Sequence, residues 1–342
     1  TEQEIFLENK KLKEKLSQTE LELEREKQAF QYKRSAENID LEQYKTLQNL
    51  KLQDYYNDYQ LTQGQQELVD KLAKFLADRT QNVFLLRGYA GTGKTFIVKG
   101  LTDYLQLIGC QYMLSAPTGK ASKVLANKTG KGANTIHSKI YNFGDLVEYK
   151  DENEPDTYKF YTNLKANGDS SNTVYIVDEA SMISDIYSDG EFIRFGSGRL
   201  LNDLIKYVNI DQNDHNKKLI FIGDNAQLPP IGMNFSPALN SKYLFSKYNL
   251  KTNEFELTDV VRQKSDSGVI RNALKIRESL DKNEFNQLNF DLNSNDIHKV
   301  SEKDSIKHYL ETCNHQINGE SVIVAYSNAD VQSYNKAVRQ YF

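Results

Sequence analysis

Residues 83–95 read Val-Phe-Leu-Leu-Arg-Gly-Tyr-Ala-Gly-Thr-Gly-Lys-Thr. The last eight fill the template G-x-x-x-x-G-K-[ST], with Gly88, Gly93, Lys94 and Thr95 at its fixed positions. The apolar run Val83–Leu86 reads as a buried strand. After the motif, Phe96, Ile97, Val98, Leu101 and Leu105 follow helical spacing. A strand, a glycine-rich turn and a helix are what a phosphate cradle requires. Glycines let backbone N–H groups converge on an anion, and the helix N-terminus adds positive potential. The motif assigns Gly88, Gly91, Thr92 and Gly93 to the cradle. It sends Lys94 to the β- and γ-phosphates and the Thr95 hydroxyl to Mg²⁺. A glycine turn that only joined two elements would need neither Lys nor Thr at these places.

Working outward, four more apolar runs read as strands: Tyr112–Ala116, Val174–Val177, Leu219–Ile222 and Val322–Ala325. Helical patterns separate most of them, which argues an α/β fold with a parallel sheet covered on both faces. Ligands in such sheets bind beyond the carboxyl ends of the strands. The chain has 342 residues, enough for two or three domains, and 39% apolar content allows a large core. Its net charge of −4 does not announce a nucleic-acid partner. Cys110 and Cys313 have neither ligand spacing nor a disulfide framework. No apolar stretch has membrane-spanning length, and the N-terminus is too charged for a signal peptide. The expectation is a soluble, cytoplasmic protein.

Two segments depart from the alternation. The first glycine is Gly64 and the first proline Pro117, so residues 1–60 form a helical extension rich in Glu, Lys, Gln and Leu. Ile5, Leu12, Leu16, Leu23 and Phe30 give it an apolar seam, interrupted by Asn9, Thr19 and Glu26. A coiled coil that self-associates or binds a protein partner, a helix docked elsewhere on the chain, and a solvated helix all fit this pattern. Residues 139–172 are polar and tyrosine-rich. There, 146–149 and 158–161 read as an inserted hairpin across the turn 151–156.

The strand ends carry further chemistry. Val174–Val177 runs into Asp178 and Glu179. The first can hold the Mg²⁺ shell beside Thr95, and the second can polarise an attacking water. Leu219–Ile222 ends in Gly223-Asp224-Asn225-Ala226-Gln227, where Gln227 is placed to sense a γ-phosphate. Ala116-Pro117-Thr118-Gly119-Lys120 and Thr135-Ile136-His137-Ser138 put hydroxyl and basic groups at strand-to-helix junctions. A nucleic-acid phosphate is the anion expected there, with Pro117, Thr118, Lys120, Thr135 and His137 as contacts. Arg262 follows a short apolar run and gains interest only if a second domain faces the nucleotide.

Taken in order, these motifs resemble superfamily-one DNA helicases of the 5′-to-3′ class, the RecD-like and Dda-like group of P-loop NTPases. The resemblance runs from Leu61 to Phe342. Leu61-Thr62-Gln63-Gly64-Gln65 resembles the family's adenine-reading motif, with Gln65 on the base. Asp178-Glu179-Ala180-Ser181 matches its second Walker motif, and Gly223–Pro230 its motif III. Residues 257–262 resemble motif IV, whose arginine, here Arg262, reaches the γ-phosphate.

The resemblance implies a first RecA-like domain over 61–250, holding the insertion 139–172, and the beginning of a second over 251–342. The insertion would be the pin that splits a duplex, with Phe143 or Tyr149 on a base. The family's motifs V and VI are absent, so the chain is expected to be a fragment. The implied activity is an ATP-dependent helicase motor on single-stranded DNA or DNA junctions, using ATP and Mg²⁺. Lys94, Glu179, Gln227 and Arg262 would be its catalytic residues. A nucleotide-switched interaction protein that does not unwind, and an ATPase acting on RNA, remain alternatives.

Overall fold

The computed structural model describes residues 51–151, 154–190, 193–210, 216–259, 267–282, 284, 289–316 and 321–342, the side chains of 149–151, 154–158 and 281 excepted. Most of the expected helical extension, residues 1–50, and Arg262 lie outside the described residues. The chain divides into two compact units, Thr1–Arg262 and Gln263–Phe342.

The first unit begins with a single turn, α1 (Leu52–Tyr55), and the helix α2 (Gln63–Ala77), followed by β1 (Val83–Gly88) and α3 (Lys94–Leu107). Then come β2 (Tyr112–Ala116), α4 (Gly119–Thr129), β3 (Ala133–Thr135) and α5 (Ile136–Ile140). An inserted pair, β4 (Val147–Asp151) and β5 (Glu154–Thr162), precedes β6 (Val174–Val177), β7 (Ile193–Phe195) and α6 (Leu200–Val208). The unit closes with β8 (Lys218–Gly223), α7 (Ser241–Tyr248) and β9 (Thr252–Leu257).

Six strands form one parallel sheet in the order β3-β2-β6-β8-β1-β9. The period-2 alternation of strand side chains divides each run between two cores. Phe84, Leu86, Ile176 and Ile220 join α2, α3 and α4 on one face. Val83, Leu85, Tyr175 and Phe221 join α5, α6 and α7 on the other. These strand residues are almost wholly buried. Each such apolar side chain stabilises the fold by about 1.5–3 kcal/mol relative to exposure. This is the α/β parallel sheet that the sequence implies.

Strand order decides where the chemistry goes. β8 lies between β1 and β6, so the loops after Gly88, Val177 and Gly223 leave the same edge of the sheet side by side.

Two expectations for the first unit change. The boundary at residue 250 moves, because β9 pairs along its whole length with β1 and is the sixth strand of the first sheet. The insertion is more than a hairpin: β4 and β5 pair antiparallel as expected, and β7 adds a third strand parallel to β5. Its base is anchored by Tyr141, which is buried in the core, and by a bridge from Tyr141 to Leu164.

The second unit contains α8 (Gly268–Asp281), α9 (Ser305–Thr312) and α10 (Asn328–Tyr341). The expected strand Val322–Ala325 makes no ladder among the described residues. Its alternation has a physical basis all the same. Ile323 and Ala325 are half-buried and share a small cavity with Tyr309 and Val338, whereas Val322 and Val324 are exposed.

Candidate functional site

The glycine-rich loop has the backbone its sequence demands. Gly91 (φ 84°) and Gly93 (φ 91°) occupy the left-handed region, where a Cβ is strained. Gly93 caps α3, so the first turn of that helix opens onto the loop. Lys94 folds its Nζ back to donate to Gly88 O at 2.6 Å and Tyr89 O at 2.9 Å. Thr92 is fully buried, and its hydroxyl donates to Tyr89 O at 2.8 Å.

Two neighbours brace the loop. The Tyr89 N–H donates to Leu257 O at the tip of β9, at 3.2 Å. On the other flank, Gln65 Nε2 donates to Thr92 O at 3.1 Å. Gln65 Oε1 meanwhile accepts from the Thr62 N–H, closing a capping box at the start of α2. Both ends of the expected base-reading amide are therefore engaged internally, and the residue is 3% exposed.

Across the strand tips stand the two carboxylates. Asp178 is anchored by its own N–H to Ser115 O on β2, and its Oδ1 accepts the Glu179 N–H at 3.0 Å. Glu179 has φ 52° and ψ 37°. A non-glycine residue in that region carries about 1–3 kcal/mol of backbone strain, of the kind that clusters at functional sites. Burial pushes the Asp178 carboxyl above its usual range, and the Lys94 ammonium opposes the shift. Glu179 is also pushed up, by burial first and then by the Asp178 charge beside it. Ser181 links this turn to the next loop, its hydroxyl donating to Gln227 Oε1 at 3.3 Å. The two loops come this close because Gly223 lacks a side chain: a Cβ there would sit 3.1 Å from the Ser181 nitrogen.

Lys94, Thr95, Asp178, Glu179 and Gln227 all line one cavity of about 660 Å³. That volume suits a nucleotide. The site contains a loop built for an anion, a hydroxyl, and two carboxyls whose ionised forms burial disfavours. A divalent cation between Thr95 and Asp178 would offset that penalty, so these residues fit Mg²⁺ with a triphosphate.

Comparison with known proteins points the same way. A family model described as an AAA domain matches residues 60–190. The ATP-dependent DNA helicase dda of Enterobacteria phage T4 is 29% identical over 223 residues, 64% of this chain and 42% of that protein. The ATP-dependent RecD2 DNA helicase of Deinococcus radiodurans is 28% identical over 171 residues, 50% of this chain and 18% of that protein. Over part of its length the chain is thus similar to ATP-dependent DNA helicases of the RecD2 and Dda kind. Among solved structures, the Pif1 helicase from Candida albicans aligns with a TM-score of 0.41 at 18% identity, over 82% of this chain and 54% of that one. The chain spans less than half the length of the curated relatives it matches.

The residues expected on nucleic acid separate in the structure. Thr118 and Lys120 line the same cavity, on the wall made by α4. Pro117, Thr135 and His137 do not. Thr118 and Thr135 also have local duties: each side-chain oxygen accepts a backbone N–H, from Ala121 and Ser138 respectively, and caps a helix. His137 packs edge-on against Phe195 and beside Tyr141, and burial lowers its basicity. Phe143 is 45% exposed and leans on Phe195. The Tyr149 side chain and Arg262 lie outside the described residues.

The sequence reading missed several cavity residues. Phe96, Val124, Lys128, Met182 and Asp224 all line it. For the α4 pair a signal existed, since Lys120, Val124 and Lys128 recur every four residues on one helix face.

Proposed function

We propose that this chain carries the ATP-hydrolysing motor of a helicase that moves 5′ to 3′ on single-stranded DNA. The observation that carries the reading is the convergence of Lys94, Thr95, Asp178, Glu179 and Gln227 on one cavity at the ends of β1, β6 and β8. Bound Mg²⁺ would supply charge neutralisation across the β- and γ-phosphates. Thr95 and Asp178 would hold that ion. Lys94 leaves its two carbonyl partners to bind the phosphate tail. A Glu179 carboxylate oxygen accepts a proton from the attacking water. Gln227 orients that water and passes the state of the site to Ser181. Arg262, at the end of the first unit, is assigned to the γ-phosphate.

DNA as the substrate, and the polarity, rest on the resemblance to the RecD-like and Dda-like group. A cytoplasmic setting fits the free thiols of Cys110 and Cys313.

The test is ATPase activity with and without single-stranded DNA, across a salt series. The reading expects strong stimulation that falls as salt rises, because phosphate contacts release counterions. Lys94→Ala should abolish turnover. Wild-type turnover in that variant, or no response to any single strand, would contradict the reading.

A further inference from the structure

The cavity has one wall that no loop motif accounts for. α4 turns a single face to it, and Lys120, Val124 and Lys128 stand on that face at intervals of four residues. The two lysines are about 12 Å apart along the helix axis. Both are exposed, and neither ammonium is held in an ion pair among the described residues. Asp178, Glu179 and Asp224 line the same cavity, and its lysines are Lys94 on the glycine-rich loop and the α4 pair Lys120 and Lys128.

The geometry points to Lys120 and Lys128 as a second cationic wall of the nucleotide site, which receives the phosphate tail together with Lys94. This rests on the nucleotide reading of the cavity and reassigns Lys120 from nucleic acid to nucleotide. The two sites are flexible amines on a rigid helix, so they can follow the tail as it changes charge.

The test is equilibrium binding, in Mg²⁺, of a fluorescent non-hydrolysable ATP analogue and of the corresponding ADP analogue. The proteins compared are this chain and its Lys128→Gln, Lys128→Arg, Lys120→Gln/Lys128→Gln and Lys94→Ala variants. Lys128→Gln should bind the triphosphate about tenfold more weakly, about 1.4 kcal/mol. The double variant should lose more, the loss for the diphosphate should be smaller, and Lys128→Arg should recover most of the affinity. Melting temperatures should stay at the wild-type value, because both side chains are exposed. Wild-type triphosphate affinity in the double variant overturns the inference. So does weakened single-stranded DNA binding with nucleotide affinity unchanged, which would return the wall to nucleic acid. Lys94→Ala separates the two levels. If it retains full triphosphate affinity, the nucleotide reading itself falls.

Discussion

Replacing Gly88 with Ala tests how the cradle is supported. Gly88 is the last residue of β1, and its backbone is unremarkable in φ, so the demand for glycine is steric. A Cβ there would lie 2.8 Å from Leu257 O, 3.1 Å from Leu257 Cβ and 3.2 Å from Thr92 Oγ1. The first is a backbone atom of β9, and it already accepts the Tyr89 N–H. Relief therefore requires β9 to shift or the loop to lift. Overpacking of this kind costs about 1–3 kcal/mol, and loss of the Tyr89 bond adds about 1 kcal/mol. The expected destabilisation is about 2–4 kcal/mol, a large part of the stability of an ordinary domain. It corresponds to a fall in melting temperature of roughly 5–15 °C at this size.

Nucleotide affinity should fall as well, because the loop that moves is the loop that binds. Gly119→Ala serves as the control. A Cβ at Gly119 meets nothing within 4 Å, and the residue opens α4, so the change should be neutral or stabilising by up to about 1 kcal/mol. Thermal melts and nucleotide titrations of both variants decide the matter. Gly88→Ala melting with the wild type, or Gly119→Ala falling as far, would refute the claim that β9 braces the loop.

Other perturbations probe the carboxylates and their supports. Glu179→Gln should leave nucleotide binding largely intact while slowing hydrolysis at least a hundredfold, as read in single-turnover assays. The wild-type rate should show an acid limb above the ordinary glutamate range, because burial and Asp178 raise the Glu179 pKa and only its ionised form accepts a proton. Stability has the same origin. Below the unfolded pKa the group is neutral in both states and carries no penalty. As pH rises through the raised native pKa, the wild type loses stability that Glu179→Gln keeps. The gap in melting temperature should thus open toward neutral pH, and a constant gap would contradict the shift. Asp185→Asn should destabilise the first unit by about 3 kcal/mol. The buried carboxylate accepts from Tyr243 Oη at 2.7 Å, Lys247 Nζ at 2.6 Å and Tyr248 Oη at 2.8 Å. An unchanged urea midpoint would show that this hub does not hold the segment after Ser181.

The parts of the fold legible in sequence were those whose signal is local. Val83–Leu86, Val174–Val177 and Leu219–Ile222 are continuous apolar runs because helices cover both faces of those strands. β9 was illegible for the converse reason. Thr-Asn-Glu-Phe-Glu-Leu is an edge strand with one neighbour, so its exposed positions are polar and its run reads as loop. Val322–Ala325 shows that alternation reports a half-covered extended segment, not a ladder.

At the site, Lys94, Thr95, Asp178 and Glu179 were readable because each stands at a fixed offset from a strand end. Lys120 was assigned by its motif alone. Its place on the cavity lining depends on how α4 packs, which is a tertiary fact. Lys128 lies eight residues beyond Lys120, and only helix geometry connects it to the cavity. The resemblance places Gln65 on the base, yet its amide is drawn into a cap and a loop brace.

The most direct test of the central claim is a crystal structure of this chain with Mg²⁺ and a non-hydrolysable ATP analogue. The account predicts the triphosphate in the cavity at the ends of β1, β6 and β8. Lys94 should be released from Gly88 and Tyr89 onto the phosphates, and the metal should lie between Thr95 and Asp178. A nucleotide bound elsewhere, or one bound there with Asp178 turned away from the metal, would contradict it.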